Sequence, residues 1–224
     1  MGIEIRSMRA EDTETCGAIL HSAFSAIATE HGFPPDFPSL DYALQVCAML
    51  AASPHNFSVV AERDGRVVGS NFLQKVDPIL AVGPISVAPE GQGRGVGRLL
   101  MEAVIEEGRG APGIRLMQDC FNMASLTLYA RLGFSVKEPV ALLHGTLEGA
   151  LPEGFTVRPM VEEDVAACED LCRRVHGWPR RHRWSLCRRP WPSQSGVQRR
   201  CYRRRDTAAG CLSPCLRWAG GRSP

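Results

Sequence analysis

The sequence predicts an α/β (α+β) fold, a mixed central β-sheet flanked by helices on both faces. Three observations carry this. Segments of strand character and segments of helical period follow one another through residues 3–147, in the order β-α-α-β-β-β-α-β-α-β-β. Two of the strands are joined by Asp64-Gly65, a dipeptide that accepts the positive φ of a tight hairpin turn. A glycine-rich corner, Gly91 to Gly97, follows directly on a strand and opens an amphipathic helix.

Each element has a local reason. "IEIR" reads as a short strand. "AEDTETCGAILHSAF" reads as a helix, with Cys16, Ile19, Leu20, Ala23 and Phe24 on one face and Asp12 placed to cap its start. "HGFPPDFPS" is a proline-stiffened loop. A second helix starts near Leu40 and puts Ala43, Val46, Cys47, Leu50 and Ala51 on one side, and Ser53-Pro54 closes it. "FSVVAERDGRVVGSNFL" is the hairpin, and "AVGPISVAP" reads as one further strand. After the glycines, Val96, Leu99, Leu100, Ala103 and Val104 keep helical spacing until "GRGAPG" ends the run. "IRLMQDC" is a strand, "NMASLTLYARLG" a short helix, and "FSVKEPVALLHGTL" one or two final strands.

Composition narrows the function classes. No segment approaches the roughly 20 apolar residues that span a bilayer. "MGIEIRSMRAEDTE" is charged where a signal peptide is apolar, so a cytoplasmic protein with no membrane attachment is expected. The overall charge of +2 hides a split. Residues 1–172 hold 12 Lys and Arg against 23 Asp and Glu, whereas residues 173–224 hold 14 Arg and one acid, Asp206. The acidic body argues against nucleic acid as a specific partner, since phosphate repels it. Cys16, Cys47 and Cys120 are widely spaced and show no metal-ligand pattern, so they read as small packing residues, and no metal site is expected.

The glycine corner fails two familiar tests. The dinucleotide fingerprint G-x-G-x-x-G finds Val96 or Arg98 where its third glycine belongs, and no Lys-Ser or Lys-Thr follows for a Walker loop. What remains, Gln92-Gly93-Arg94-Gly95-Val96-Gly97, offers unobstructed backbone N–H groups at a helix N-terminus, with Arg94 and Arg98 adding charge. That is a cradle for pyrophosphate, or equally a plain strand-to-helix turn. Some 25 residues on stand Asn122, Ser125, Leu128-Tyr129 and Gly133-Phe134.

Together the two segments resemble the signatures of the GCN5-related N-acetyltransferases (GNAT). The Q/R-x-x-G-x-G/A loop of that family matches Gln92 to Gly97, and its N-x-x-[SA]-x-x-L-Y-x-x-x-G-F helix matches Asn122 to Phe134. The resemblance covers residues 3–147 and implies acetyl transfer from acetyl-CoA to an amine of a small molecule or peptide. Under it, "ISVAP", with Ile85 and Val87, would pair through its backbone with the pantetheine arm. The loop Gln92, Gly93, Arg94, Gly95, Val96, Gly97 and Arg98 would hold the pyrophosphate. The strands "ISVAP" and "IRLMQDC" would splay to admit the thioester. Asn122 would bond the cosubstrate or cap its helix, with Ser125 beside it, and Tyr129 would act as general acid to the departing thiolate.

Amide formation needs a neutral amine, an oxyanion donor and a proton for the leaving thiolate. Backbone N–H groups near Val87 are candidates for the donor. "AVGPISVAP" carries no carboxylate, so the base is open among Asp119, Glu62 and a water chain. The acceptor should meet the first two helices and "HGFPPDFPS", where Phe33 and Phe37 either wall an apolar pocket or plug the loop onto the core. A non-catalytic acyl-CoA sensor on the same fold is the alternative function. A homodimer is compatible with either.

Residues 155–176 repeat residues 3–24 at an offset of 152: Arg6/Arg158, Met8/Met160, Glu11/Glu163, Asp12/Asp164 and Cys16/Cys168 coincide. This reads as the opening β-α of a second, incomplete domain of the same kind. The tail 178–224 is foreign to it, with four aliphatics, all four tryptophans and half of the arginines. A zinc site and an RNA-binding arm are both weaker readings of that composition than translation out of frame in a GC-rich gene. Disorder is expected there, with only non-specific attachment to nucleic acid.

Overall fold

The computed structural model describes residues 2–137, 139, 154–158, 160–179, 201–204 and 216–218. The chain divides into two units, Met1–Glu138 with Cys215–Pro224, and Pro139–Pro214. In the first unit, β1 (Glu4–Ser7) is followed by α1 (Thr13–Glu30), α2 (Leu40–Ala52), β2 (Asn56–Arg63) and β3 (Arg66–Gln74). Then come β4 (Ile79–Val82), β5 (Ser86–Val87), α3 (Val96–Glu107), β6 (Gly113–Leu116), α4 (Met123–Arg131) and β7 (Phe134–Ser135). The second unit has β8 (Phe155–Arg158), α5 (Asp164–His176) and β9 (Cys201–Arg204), and β10 (Leu216–Trp218) returns to the first.

The sheet runs β1-β2-β3-β4-β6-β10-β7, with β5 paired to β3 beside this path. The β2–β3 turn has Asp64 at φ 54° and Gly65 at φ 74°, the conformations the hairpin dipeptide predicts. Strand period then sorts the side chains to the two faces. Val59 and Ala61 of β2 join Leu73, Val96, Leu100, Met101, Val104 and Ile114 in the main core under α3. Val60 and Phe72 point the other way and pack with Cys16 of α1 and Cys47 of α2. Helices therefore cover both faces, as the sequence predicts. Cys16 and Cys47 are fully buried, and the neighbouring thiol together with burial pushes the Cys16 thiol far above its ordinary range. Cys120 departs from its expected packing role and is exposed.

Several local expectations are corrected. Helix α1 runs on to Glu30 instead of stopping near Phe24, and Asp12 does not cap it. The Asp12 carboxylate is already taken: Arg6 donates from Nη1 (2.7 Å) and Nη2 (2.9 Å), and the Arg9 N–H donates at 2.7 Å. The same three bonds recur in the second unit. Arg158 donates to Asp164 at 2.6 and 2.5 Å, and the Val161 N–H at 2.9 Å, each donor and acceptor 152 residues on from its counterpart.

Two short segments of the tail are described, both as strands. Cys201–Arg204 pairs antiparallel with β8, and Leu216–Trp218 lies antiparallel to both β6 and β7. Ladder bonds use backbone groups alone, so an open sheet edge accepts an extended segment whatever its composition. Of the one or two strands expected over 134–147, the described residues contain β7, and residues 138 and 140–147 lie outside them.

Candidate active site

The site begins where the sheet comes apart. β4 and β6 are parallel neighbours, with Ile79 opposite Gly113 and Ala81 opposite Arg115. "AVGPISVAP" is not one strand, as its sequence suggests. It breaks at the cis Gly83-Pro84 bond, since Pro84 has no N–H to continue a ladder. β5 then pairs with β3 only, Gly69 opposite Val87 and Ser70 opposite Ser86, while β6 ends at Leu116. One edge of β5, carrying the backbone around Ile85 and Val87, is left open toward the chain leaving β6. This is the splay implied by the resemblance, produced by a proline and a strand end.

The glycine corner closes one end of this gap. Gly93 and Gly95 sit at φ 71° and 84°, and Gly95 is the N-cap of α3. Both are conformations that side-chain-bearing residues rarely adopt. Residues 92–95 form a turn that leads straight into α3, so the first N–H groups of that helix lie at its N-terminus, where a helix leaves donors without intrahelical partners. Val96 is buried in the main core, so only its backbone serves the corner. The Gln92 side chain turns back and donates to the Val87 carbonyl at 3.1 Å, tying corner to strand. Gly97 lies where α3, α4 and β5 meet: a Cβ there would be 3.4 Å from Leu128 Cδ2 and 3.8 Å from Val87 Cγ2. Arg94 is exposed, and Arg98 reaches Glu102 at 2.7 Å.

Helix α4 carries the next residues. Asn122 caps it, its Oδ1 accepting from the Ser125 N–H at 3.1 Å, which is one of the two roles read for it. Tyr129 is 5% exposed and lies near Phe134, ring centroids 6.1 Å apart. Burial pushes its hydroxyl up to about 12, with the Ser125 side chain pulling weakly the other way. The phenol is therefore protonated throughout the physiological range.

The loop after β6 meets the α1–α2 loop through aromatic rings. Phe33 stacks on Phe121 at 4.6 Å and 10°, and His31 stacks on the same ring at 5.0 Å and 24°. The two phenylalanines read as a pair separate here. Phe37 is buried edge-on against Phe24 at 4.9 Å, plugging the loop to the core, whereas Phe33 stays 53% exposed. Asp119 stands in the loop after β6, and burial raises its carboxyl above the usual range. Asp36, which sequence reading missed, is raised by burial and by the Asp119 charge. Glu62 does not qualify as a base: it is ion-paired to Arg6 at 2.8 Å on β2, away from the gap in the strand order. Also unforeseen is the buried pair Arg115–Asp77, 3.4 Å apart behind the β4–β6 ladder. Among the described residues no cluster of three or more metal-ligating side chains occurs, and no helix is long and apolar enough to cross a membrane.

Residues 20–134 match the acetyltransferase (GNAT) family, and the chain belongs to that family. It is 31% identical over 141 residues to a phosphinothricin N-acetyltransferase of Alcaligenes faecalis, covering 58% of this chain and 68% of that protein. It is 39% identical over 82 residues to a mycothiol acetyltransferase of Tsukamurella paurometabola, covering 34% of this chain. The chain spans only 28% of the length of that relative. In fold it is similar to the PaiA N-acetyltransferase of Thermoplasma acidophilum, solved with coenzyme A, with a TM-score of 0.53 at 19% identity over 62% of this chain and 94% of that one. The N-terminus of α3 behind the glycine corner is of the kind that suits an anionic group.

Proposed function

We propose that the chain is an N-acetyltransferase that moves the acetyl group of acetyl-CoA to a primary amine of a small molecule or peptide. The observation that carries this is the joining of two features at one place: a β5 that pairs with β3 alone, and a glycine corner with Gly93 and Gly95 at positive φ that opens α3. In this reading the backbone of Ile85 and Val87 receives the pantetheine arm. Residues Gln92, Gly93, Arg94, Gly95, Val96, Gly97 and Arg98 hold the pyrophosphate, largely through backbone N–H groups. Asn122 and Ser125 fix the start of α4, which carries Tyr129.

The step balances simply. The neutral amine nitrogen attacks the thioester carbonyl carbon, a C–N bond forms and the C–S bond breaks. A backbone N–H beside Val87 steadies the oxyanion. Asp119, directly or through water, takes the proton the amine loses, and its raised affinity for protons suits that role. Tyr129 supplies a proton to the leaving thiolate.

A second reading, a sensor that binds acyl-CoA without turnover, draws on the burial of Tyr129 and the absence of a carboxylate from residues 81–89. The two separate in one experiment. Acetyl-CoA should raise the melting temperature, and a panel of amines should include at least one that is acetylated. A thermal shift with no acetylated amine favours the sensor, and no shift at all contradicts both.

A further inference from the structure

β5 is only two residues long, and among the described residues β3 alone pairs with it. A strand so short takes its place from that one neighbour. Three contacts along β3 set it. A glycine inside a strand weakens it, and often marks a point where another backbone comes close. Gly69 is such a point: a Cβ there would lie 2.7 Å from the Ser86 carbonyl oxygen, 3.1 Å from Leu100 Cδ1 and 3.4 Å from Val87 Cα. Two of those atoms are β5 backbone, and the third belongs to α3, the helix that the glycine corner opens. The φ of Gly69 lies outside the left-handed region, so the glycine supplies space and not backbone freedom. Beside it β3 carries a bulge, since Ala61 stands opposite Gly69 but Glu62 opposite Val67, which leaves Val68 over. The Val68 carbonyl accepts from the Ala88 N–H at 2.9 Å, just past the end of β5. Ser70 Oγ and Ser86 Oγ lie 3.3 Å apart, both residues buried. Buried hydroxyls need such partners, and this pair bonds the side chain of β5 to that of β3.

We propose that Gly69 and the Ser70–Ser86 hydroxyl pair are positioning residues for acetyl-CoA: they set how far β5 stands from β3, and so where its other edge meets the thioester arm. This rests on the N-acetyltransferase reading above, which gives that edge to the pantetheine. In this role the three residues act through β5. A methyl added at Gly69 would sit nearer to the Ser86 oxygen than packed atoms come, and a backbone oxygen cannot rotate out of its way. β5 then has to leave β3, and the side away from β3 is the gap.

Calorimetric titration of CoA into the full chain tests this without turnover. Gly69→Ala should weaken CoA binding about tenfold, and Ser86→Ala about threefold. In turnover the same factors should appear in the acetyl-CoA KM and not in the amine KM. Ile5→Ala is the control, because Ile5 packs against the main core from β1, which β2 and β3 separate from β5. It should lower the melting midpoint and leave CoA affinity unchanged. If Gly69→Ala does not fold, Ser86→Ala measured against this control decides. The expected losses of CoA affinity, with no amine acetylated by the wild type, uphold the positioning role and overturn the enzyme reading. Full CoA affinity in the folded variants, or a loss no larger than that of Ile5→Ala, overturns the positioning role, while acetylation by the wild type keeps the enzyme reading intact. Wild-type protein that binds no CoA overturns both.

Discussion

Tyr129 and the two aspartates Asp12 and Asp36 illustrate how surroundings give single side chains opposite consequences. A phenol held near 12 remains a proton donor, so Tyr129→Phe should lower kcat by about 10²-fold or more while leaving the Kd for CoA unchanged. Equal loss of CoA binding would mean that the ring only packs. Asp12 is held below the ordinary carboxylate range by Arg6. Its stabilising contribution is present above the unfolded-state value and lost as pH falls through the folded one. Asp12→Asn should therefore cost about 1–3 kcal/mol at pH 7, and the difference from wild type should vanish in acid. Asp36 has the reverse sign. Its pKa is raised, so its contribution is intact only at low pH and is lost as pH rises through the folded value. Because Asp36 is solvent-exposed, the effect is screened: Asp36→Asn should raise the melting midpoint only slightly at pH 7, with the gain fading as pH drops into the carboxylate range. Urea titrations of both variants at pH 7 and at pH 3–4 check the two signs together.

Elements built from local chemistry were legible in the sequence, and those that depend on distant partners were not. The Asp64-Gly65 hairpin, the second helix starting near Leu40 and the stripe Val96, Leu100, Val104 needed only neighbouring residues, and the fold bears them out. The Asp12 cap failed because Arg6, six residues earlier on β1, takes the carboxylate. The Arg115–Asp77 pair and the Phe33–Phe121 stack join segments far apart in the chain, and no periodicity announces them. The glycine corner falls between these cases. Its motif was visible, but the reason for Gly95, a left-handed N-cap, is a structural fact. Gly95→Val should impose strain of about 1–3 kcal/mol, and so raise the acetyl-CoA KM roughly 5- to 150-fold while kcat falls less. Unchanged CoA affinity in that variant would reduce the corner to a turn.

On the scale of the whole chain, the recurrence of the Arg6–Asp12 latch at Arg158–Asp164 is the most informative feature outside the site. Matching sequence can arise by chance in two short β-α units, but three equivalent hydrogen bonds at one constant offset are a stricter coincidence. We propose that residues 155–176 open a second domain of the same fold, and that the tail after it is encoded out of frame. The coding DNA checks this: a neighbouring frame beyond the Gly177 codon should restore a glycine corner and a Leu-Tyr-x-x-x-Gly-Phe helix, and neither frame doing so would refute it. The first unit, by contrast, holds the whole proposed site, from β5 and the glycine corner to Asp119 and Tyr129. The measurement that tests this most directly is mass spectrometry of an amine panel incubated with acetyl-CoA and the protein. The account predicts an amine heavier by one acetyl group, formed in proportion to enzyme and lost in Tyr129→Phe. Protein that binds CoA but acetylates no amine, from oligoamines to peptide N-termini, would contradict it.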